Sequence, residues 1–360
     1  MAINAVLLIV WFLQERERTY SLDNYDWIIM RGTVVILTVF AFSCAVMTAQ
    51  DKTVVKGELG PEGAPKEVDF FYRSGESVSV PVENGRFRVE LPTDVTKSYD
   101  VGMGRHVKVT IVPEGGTLTI SRRPDGRCTV SSDKVNSLTV ALDSLMSFRR
   151  RNYKDSTLMI NEYKRVIHAN RDNAVGYMAL FFLTNFGNTD PKTRFELAGT
   201  LAPNMLAEPR TAKLKRDIEA VYNTSVGMRF QDFEGIDMAG NTVRLSDYAG
   251  KGKYILLDFW STSCGPCRRA FPHIMELYEE FGGNRFDVIG VPLWEEAGQS
   301  KETVREKSLT WKNILGTEES AAELYGVTFV PTYLLLAPDG TILARADLSE
   351  IERMIRESVR

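Results

Sequence analysis

One stretch restricts this chain more than any other: Tyr254–Arg269, YILLDFWSTSCGPCRR. Four apolar or β-branched-type residues, Tyr254 to Leu257, open it and predict a strand buried on both faces. A single acid, Asp258, interrupts the run before Phe259 and Trp260. Cys264 and Cys267 follow, separated by Gly265 and Pro266, and the segment after them reads as a helix. A thiol at the start of a helix meets unpaired N–H groups and the positive end of the helix dipole, which favour thiolate. A second cysteine three residues on lies about one helical turn away and can close a disulfide with the first.

The same C-x-x-C spacing also serves zinc, which would need two further ligands at matching spacing. The remaining cysteines are Cys44 and Cys128, and His106, His168 and His273 are scattered, so the pattern speaks against a metal. With D-F-W before the cysteines and Val330-Pro331 after them, the stretch resembles the active site of the thioredoxin superfamily.

That resemblance carries specific expectations. Cys264 would be the attacking thiolate, forming a mixed disulfide that Cys267 resolves, leaving a Cys264–Cys267 disulfide. Asp258 would occupy the place of the buried aspartate beneath the cysteines. Desolvation would raise its pKa toward the range a general base requires. Pro331 would be the cis-proline opposite the cysteines, leaving the backbone of Val330 free to pair with an extended substrate. Trp260, Gly265 and Pro266 complete the expected substrate surface. The chain departs from thioredoxin at Ser263, where tryptophan is common, and at Gly290, which aligns with a lysine of the neighbouring strand. Ala270 stands where related helices carry glutamate. Arg268 and Arg269 line the helix face, and His273 is expected at its surface.

From Gly227 onward the likeness becomes detailed. Phe230–Leu245 is similar to the opening hairpin of the TlpA/ResA-like branch, a group of membrane-associated, extracytoplasmic thiol-disulfide oxidoreductases. A second strand is expected at Phe286–Val291, an inserted helical region at 299–325, and a final hairpin at Thr332–Ala337 and Thr341–Ala346. A terminal helix carries Ile351, Met354 and Ile355.

The rest of the chain reads in two parts. From 50 to 134 the pattern has period two, as at Val78, Val80 and Val82, then Phe87, Val89 and Leu91 across an Asn84-Gly85 turn. It predicts an antiparallel β domain with one buried face, Cys128 pointing inward. From 135 to 225 the period becomes helical and predicts a module of about five helices, with Asp190-Pro191 opening one of them. The layout of β domain, helical module and terminal thioredoxin-like domain (226–360) resembles exported proteins of Bacteroidetes-type bacteria, whose β domain is the family called DUF4369.

The first 49 residues read as targeting. Gly32–Ala49 carries no charge across 18 residues, follows Met30-Arg31, and ends in small residues. That describes a secretory signal, with Met30 as an alternative start and 1–29 as an upstream extension. Retention of 27–49 as a membrane anchor is a second reading, and lipidation of Cys44 a third, although Ala41 stands where a lipobox usually has leucine. Each places the chain in the periplasm or cell envelope, where disulfide chemistry is active.

A net charge of −3 gives no sign of a nucleic-acid partner. No Gly-rich phosphate loop, G-x-S-x-G elbow or H-E-x-x-H helix is present. The implied function is an extracytoplasmic reductase of protein disulfides, needing no cofactor and fed by a membrane or periplasmic electron donor. One alternative is a thiol peroxidase of the AhpC/TSA type, which requires threonine three residues before the reactive cysteine, where this chain has Ser261. Another is an envelope-binding protein whose residues 50–225 recruit a partner.

Overall fold

A computed structural model describes residues 51–72, 77–103, 106–185, 189–317 and 320–359. The targeting segment expected at 1–49, with Cys44, lies outside the described residues. None of the described helices is long and apolar enough to cross a membrane.

Eight strands fill the first part: β1 (Lys52–Glu58), β2 (Glu67–Phe71), β3 (Ser77–Pro81), β4 (Arg86–Pro92), β5 (Tyr99–Met103), β6 (His106–Ile111), β7 (Gly116–Arg122) and β8 (Cys128–Ser132). They form two four-stranded sheets, ordered β4-β1-β7-β8 and β3-β2-β5-β6. Alternate residues from both, among them Val55, Val68, Phe70, Val101, Ile111, Leu118 and Ile120, pack into one core.

The second sheet is antiparallel throughout, as the period-two pattern predicts, whereas in the first β1 runs parallel to β7. The expected Asn84-Gly85 turn is present, with both residues left-handed. Its flanking strands separate after one bridge, Glu83 to Arg86, and β3 and β4 enter different sheets. The turn is therefore a corner of the sandwich, which alternation alone cannot distinguish from a flat hairpin. Cys128 is half-buried against that core, its Sγ 3.8 Å from Met103 Sδ.

Among the described residues six helices follow: α1 (Leu138–Asn152), α2 (Ser156–Ala169), α3 (Ala174–Asn185), α4 (Pro191–Gly199), the single turn α5 (Pro203–Leu206) and α6 (Pro209–Asn223). α3 is buried on nearly every side, which explains why its sequence lacks a polar stripe. Asp190 caps α4, accepting from the Thr193 N–H, with Pro191 in the first turn.

The last part opens with the hairpin β9 (Glu234–Ile236) and β10 (Thr242–Arg244). It continues with β11 (Tyr254–Trp260), α7 (Gly265–Phe281), β12 (Phe286–Pro292), α8 (Ala297–Glu306), β13 (Lys312–Asn313), α9 (Ser320–Tyr325), β14 (Thr332–Leu336), β15 (Ile342–Ala346) and α10 (Leu348–Ser358). The sheet order is β13-β12-β11-β14-β15, with β11 parallel to β12 and antiparallel to β14. β11 is thus the central strand. Ile255, Leu257 and Phe259 enter the core on one face, while Leu256 and Trp260 enter the core that α7 covers on the other.

Candidate active site

The site forms where β11 ends and α7 begins. Cys264 is the N-cap of α7 and Pro266 lies in its first turn, where a missing N–H costs nothing. Cys264 and Cys267 are joined by a disulfide with sulfurs 2.11 Å apart. Cys264 Sγ accepts the Cys267 N–H at 3.1 Å, a bond that grows stronger once the sulfur is a thiolate. Cys264 is half-exposed and Cys267 is buried, so the two sulfurs differ in access to a partner.

Strand alternation turns Asp258 to the same face as Leu256 and Trp260, the face that also buries Cys267. Asp258 is 1% exposed, and neither carboxylate oxygen has a hydrogen-bond partner among the described residues. Burial pushes its pKa up to about 8. A carboxyl that changes charge near neutrality inside a sulfur-containing core is suited to exchanging protons.

The immediate neighbours of Asp258 are set by strand register. Gly290 pairs with it on β12 and Tyr333 on β14. Tyr333 is held protonated by burial, reinforced by the Asp258 charge. At Gly290 a side chain has no room: an added Cβ would lie 2.1 Å from Asn313 Oδ1 and 3.1 Å from Trp260 Nε1.

The Val330-Pro331 peptide bond is cis, and the Val330 carbonyl oxygen lies 3.6 Å from Cys264 Sγ. In the oxidised state that is a contact; a reduced Cys264 thiol could donate across it. Gly265 and Pro266 are exposed beside the disulfide, and Val330 and Pro331 are half-exposed opposite.

Trp260 requires a correction. It is 0% exposed and packs edge-on against Phe271 with centroids 5.3 Å apart, so it forms the floor under the site and offers a substrate no surface. Its place at the end of a central strand, covered by α7, is the physical reason. His273 lies away from the sulfurs, with Nε2 2.8 Å from Glu352 Oε2 of α10.

Two contributors leave no signal in the sequence. Glu295, beyond β12, accepts both the N–H and the hydroxyl of Thr262 (2.7 and 2.8 Å), fixing the loop that leads into Cys264. Its other oxygen accepts from Ser300 at 2.7 Å. Tyr333 becomes a neighbour of Asp258 only through the pairing of β14. Among the described residues, no cluster of three or more His, Cys, Asp or Glu is placed to hold a metal ion.

A central parallel strand running into a disulfide-capped helix, with a buried carboxyl below and a cis-proline opposite, defines a dithiol oxidoreductase of the thioredoxin fold. Residues 226–345 match the model of the AhpC/TSA family. The thiol-disulfide oxidoreductase ResA of Geobacillus thermodenitrificans is 30% identical over 118 residues, covering 33% of this chain and 67% of that protein. ResA of Bacillus subtilis is 27% identical over 121 residues, covering 34% and 66% respectively. The chain belongs to this family of thiol-disulfide oxidoreductases. Among solved structures, the thioredoxin domain of a thiol-disulfide oxidoreductase from Bacteroides vulgatus is 28% identical, with a TM-score of 0.35. That match covers 38% of this chain and 99% of the other.

Proposed function

We propose that this chain reduces protein disulfides outside the cytoplasm. The observation that carries the reading is the buried, unpartnered Asp258 on the Cys267 face of β11. Cys264 Sγ, as thiolate, attacks one sulfur of a client disulfide. A Cys264–client bond forms, and the other client sulfur leaves as thiolate and takes a proton. Asp258 removes the proton from the Cys267 thiol. The Cys267 thiolate then attacks Cys264 Sγ, releasing the second client thiol. The client gains two electrons and two protons, and the enzyme is left with the Cys264–Cys267 disulfide. A membrane or periplasmic dithiol donor then restores the reduced pair.

Gly265, Pro266, Val330 and Pro331 form the surface on which the client lies, with the Val330 backbone pairing to an extended segment. The uncharged run at 32–49 supports export, and N-terminal sequencing of the mature protein tests it. The β module, similar in layout to DUF4369, and the helical module are read as parts that bring the catalytic domain to its clients in the cell envelope.

Cys264→Ser abolishes insulin-disulfide reduction, and Cys267→Ser accumulates mixed disulfides visible on non-reducing gels. Full insulin-reductase activity in the Cys264 variant overturns the assignment. The AhpC/TSA match keeps a thiol peroxidase as the second reading. Ser261 stands at the position where that chemistry needs threonine, and its Oγ is 3.0 Å from Ser263 Oγ. Rapid-mixing kinetics with hydrogen peroxide separate the two.

A further inference from the structure

The cis-proline loop is half of the active site, and part of what anchors it comes from the helical module. The loop begins at Tyr325 and Gly326 and ends at Val330-Pro331, against Cys264. Arg345, half-buried on β15, donates from Nη1 to the Tyr325 carbonyl at 2.7 Å and from Nη2 to the Gly326 carbonyl at 3.3 Å. The same Nη1 reaches Thr224 Oγ1, at the C-cap of α6, at 3.3 Å. All three acceptors are uncharged, so the guanidinium is here a fork-shaped donor for backbone geometry. Burial pulls its pKa down to about 10.

A second contact joins the same elements. Gly326 has φ +56°, and an added Cβ there would lie 2.6 Å from Val221 Cγ2 and 2.8 Å from the Asp217 carbonyl oxygen, both on α6. The helix therefore packs directly on the backbone of the loop, which only glycine permits. Below, the Tyr325 hydroxyl donates to the Gln231 carbonyl at 2.7 Å and accepts the Gln231 N–H at 3.0 Å. The start of the loop is thus held from α6, from β15 and from the segment that enters the catalytic domain. The hold extends to Val327, which is itself buried, and the exposed Thr328 and Phe329 lead from there to Val330.

We propose that Arg345 is a positioning residue for client recognition, setting the Val330 backbone relative to Cys264, and that α6 belongs to this device. The inference rests on the disulfide-reductase reading above and assigns the helical module a part in it. The chemistry of the two sulfurs does not pass through Arg345. What passes through it is the placement of a backbone carbonyl that an extended client must meet, and misplacement of about 1 Å at such a site can cost roughly a hundredfold in rate.

The test uses the full chain and two substrates: insulin, whose disulfides are carried by a polypeptide backbone, and hydroxyethyl disulfide, which has no backbone to pair. Arg345→Met is expected to raise the insulin KM by roughly tenfold while hydroxyethyl disulfide turnover stays within about twofold. Arg345→Lys, which restores a cationic donor without the planar fork, recovers only part of the insulin KM. Thr224→Val, which removes the link to α6 together with the Thr224 hydroxyl's bond to the Ala220 carbonyl, produces a smaller rise in the same direction. An Arg345→Met protein with a lowered thermal midpoint and an unchanged insulin KM overturns the inference, as does an equal loss on both substrates. Should Arg345→Met fail to fold, Thr224→Val decides: an unchanged insulin KM there is equally fatal. A wild-type chain that reduces neither substrate overturns the reductase reading itself, and this inference with it.

Discussion

Two buried carboxylates, Glu208 and Asp258, are treated in opposite ways. Glu208 caps α6 by accepting the N–H and hydroxyl of Thr211 at 2.8 and 3.1 Å, and its other oxygen accepts the Tyr72 hydroxyl at the end of β2. Arg210 lies beside it, between the rings of Tyr72 and Tyr177, 5.2 and 4.9 Å from their centroids. Every feature there ties the β module to the helical module. Asp258 is buried as deeply and accepts nothing from any described residue. A buried acid satisfied by donors is a structural tie, whereas one left unsatisfied titrates near neutrality and can take up and return a proton.

The comparison can be broken most readily at Asp258. On the proposed mechanism, Asp258→Asn leaves Cys264 able to attack but removes the acceptor for the Cys267 proton. Single-turnover kinetics at pH 7 should show the mixed disulfide resolving roughly ten- to a hundredfold more slowly. The same variant should be more stable than wild type at alkaline pH. The folded pKa near 8 lies above that of an unfolded aspartate, so between those values the native state keeps a proton that the unfolded chain has lost. Stability is therefore present in full below about pH 4 and is lost as pH rises to 8 and beyond. Chemical denaturation should show the two proteins converging near pH 4 and the Asn variant ahead at pH 9, by up to about 5 kcal/mol. A less stable Asn variant at pH 9 would contradict the assignment of an unpartnered acid.

Glu208→Ala should do the reverse. It strands the Tyr72 hydroxyl and the Thr211 donors, and stability should fall by about 2–3 kcal/mol with insulin turnover unchanged within about twofold. A large loss of turnover at unchanged stability would mean that Glu208 serves the chemistry. The smallest effect is expected at His273, whose contact with Glu352 is partly exposed to solvent. His273→Gln should shift stability by less than about 1 kcal/mol and leave the rate alone.

These contrasts also mark how far the sequence can be read. Asp258 was legible because an acid inside an apolar strand is anomalous, and the cysteines because C-G-P-C opens a helix. Trp260 was misjudged, since the aromatic pair after Asp258 carries no mark of which side α7 will cover. Glu295, Tyr333 and Arg345 lie 31, 69 and 81 residues beyond Cys264 in an order that has no meaning until the strands pair. The parallel pairing of β1 with β7 was hidden for the same reason: alternation marks a sheet with one buried face, usually antiparallel, and does not reveal which pair departs from that rule.

By itself, the sequence determined the local events: the strand that buries Asp258, the helix that Cys264 caps, the cysteine spacing that permits a disulfide, and the change of period from strands to helices. These depend on residues within a turn or two of one another, where propensity and hydrogen-bonding geometry act directly. The tertiary structure alone decided which groups surround those elements. It left Asp258 without a hydrogen-bond partner among the described residues, sealed Trp260 beneath the site, and placed α6 against the loop that carries Pro331. Those outcomes depend on register and packing between segments far apart in the chain, and no local pattern encodes them.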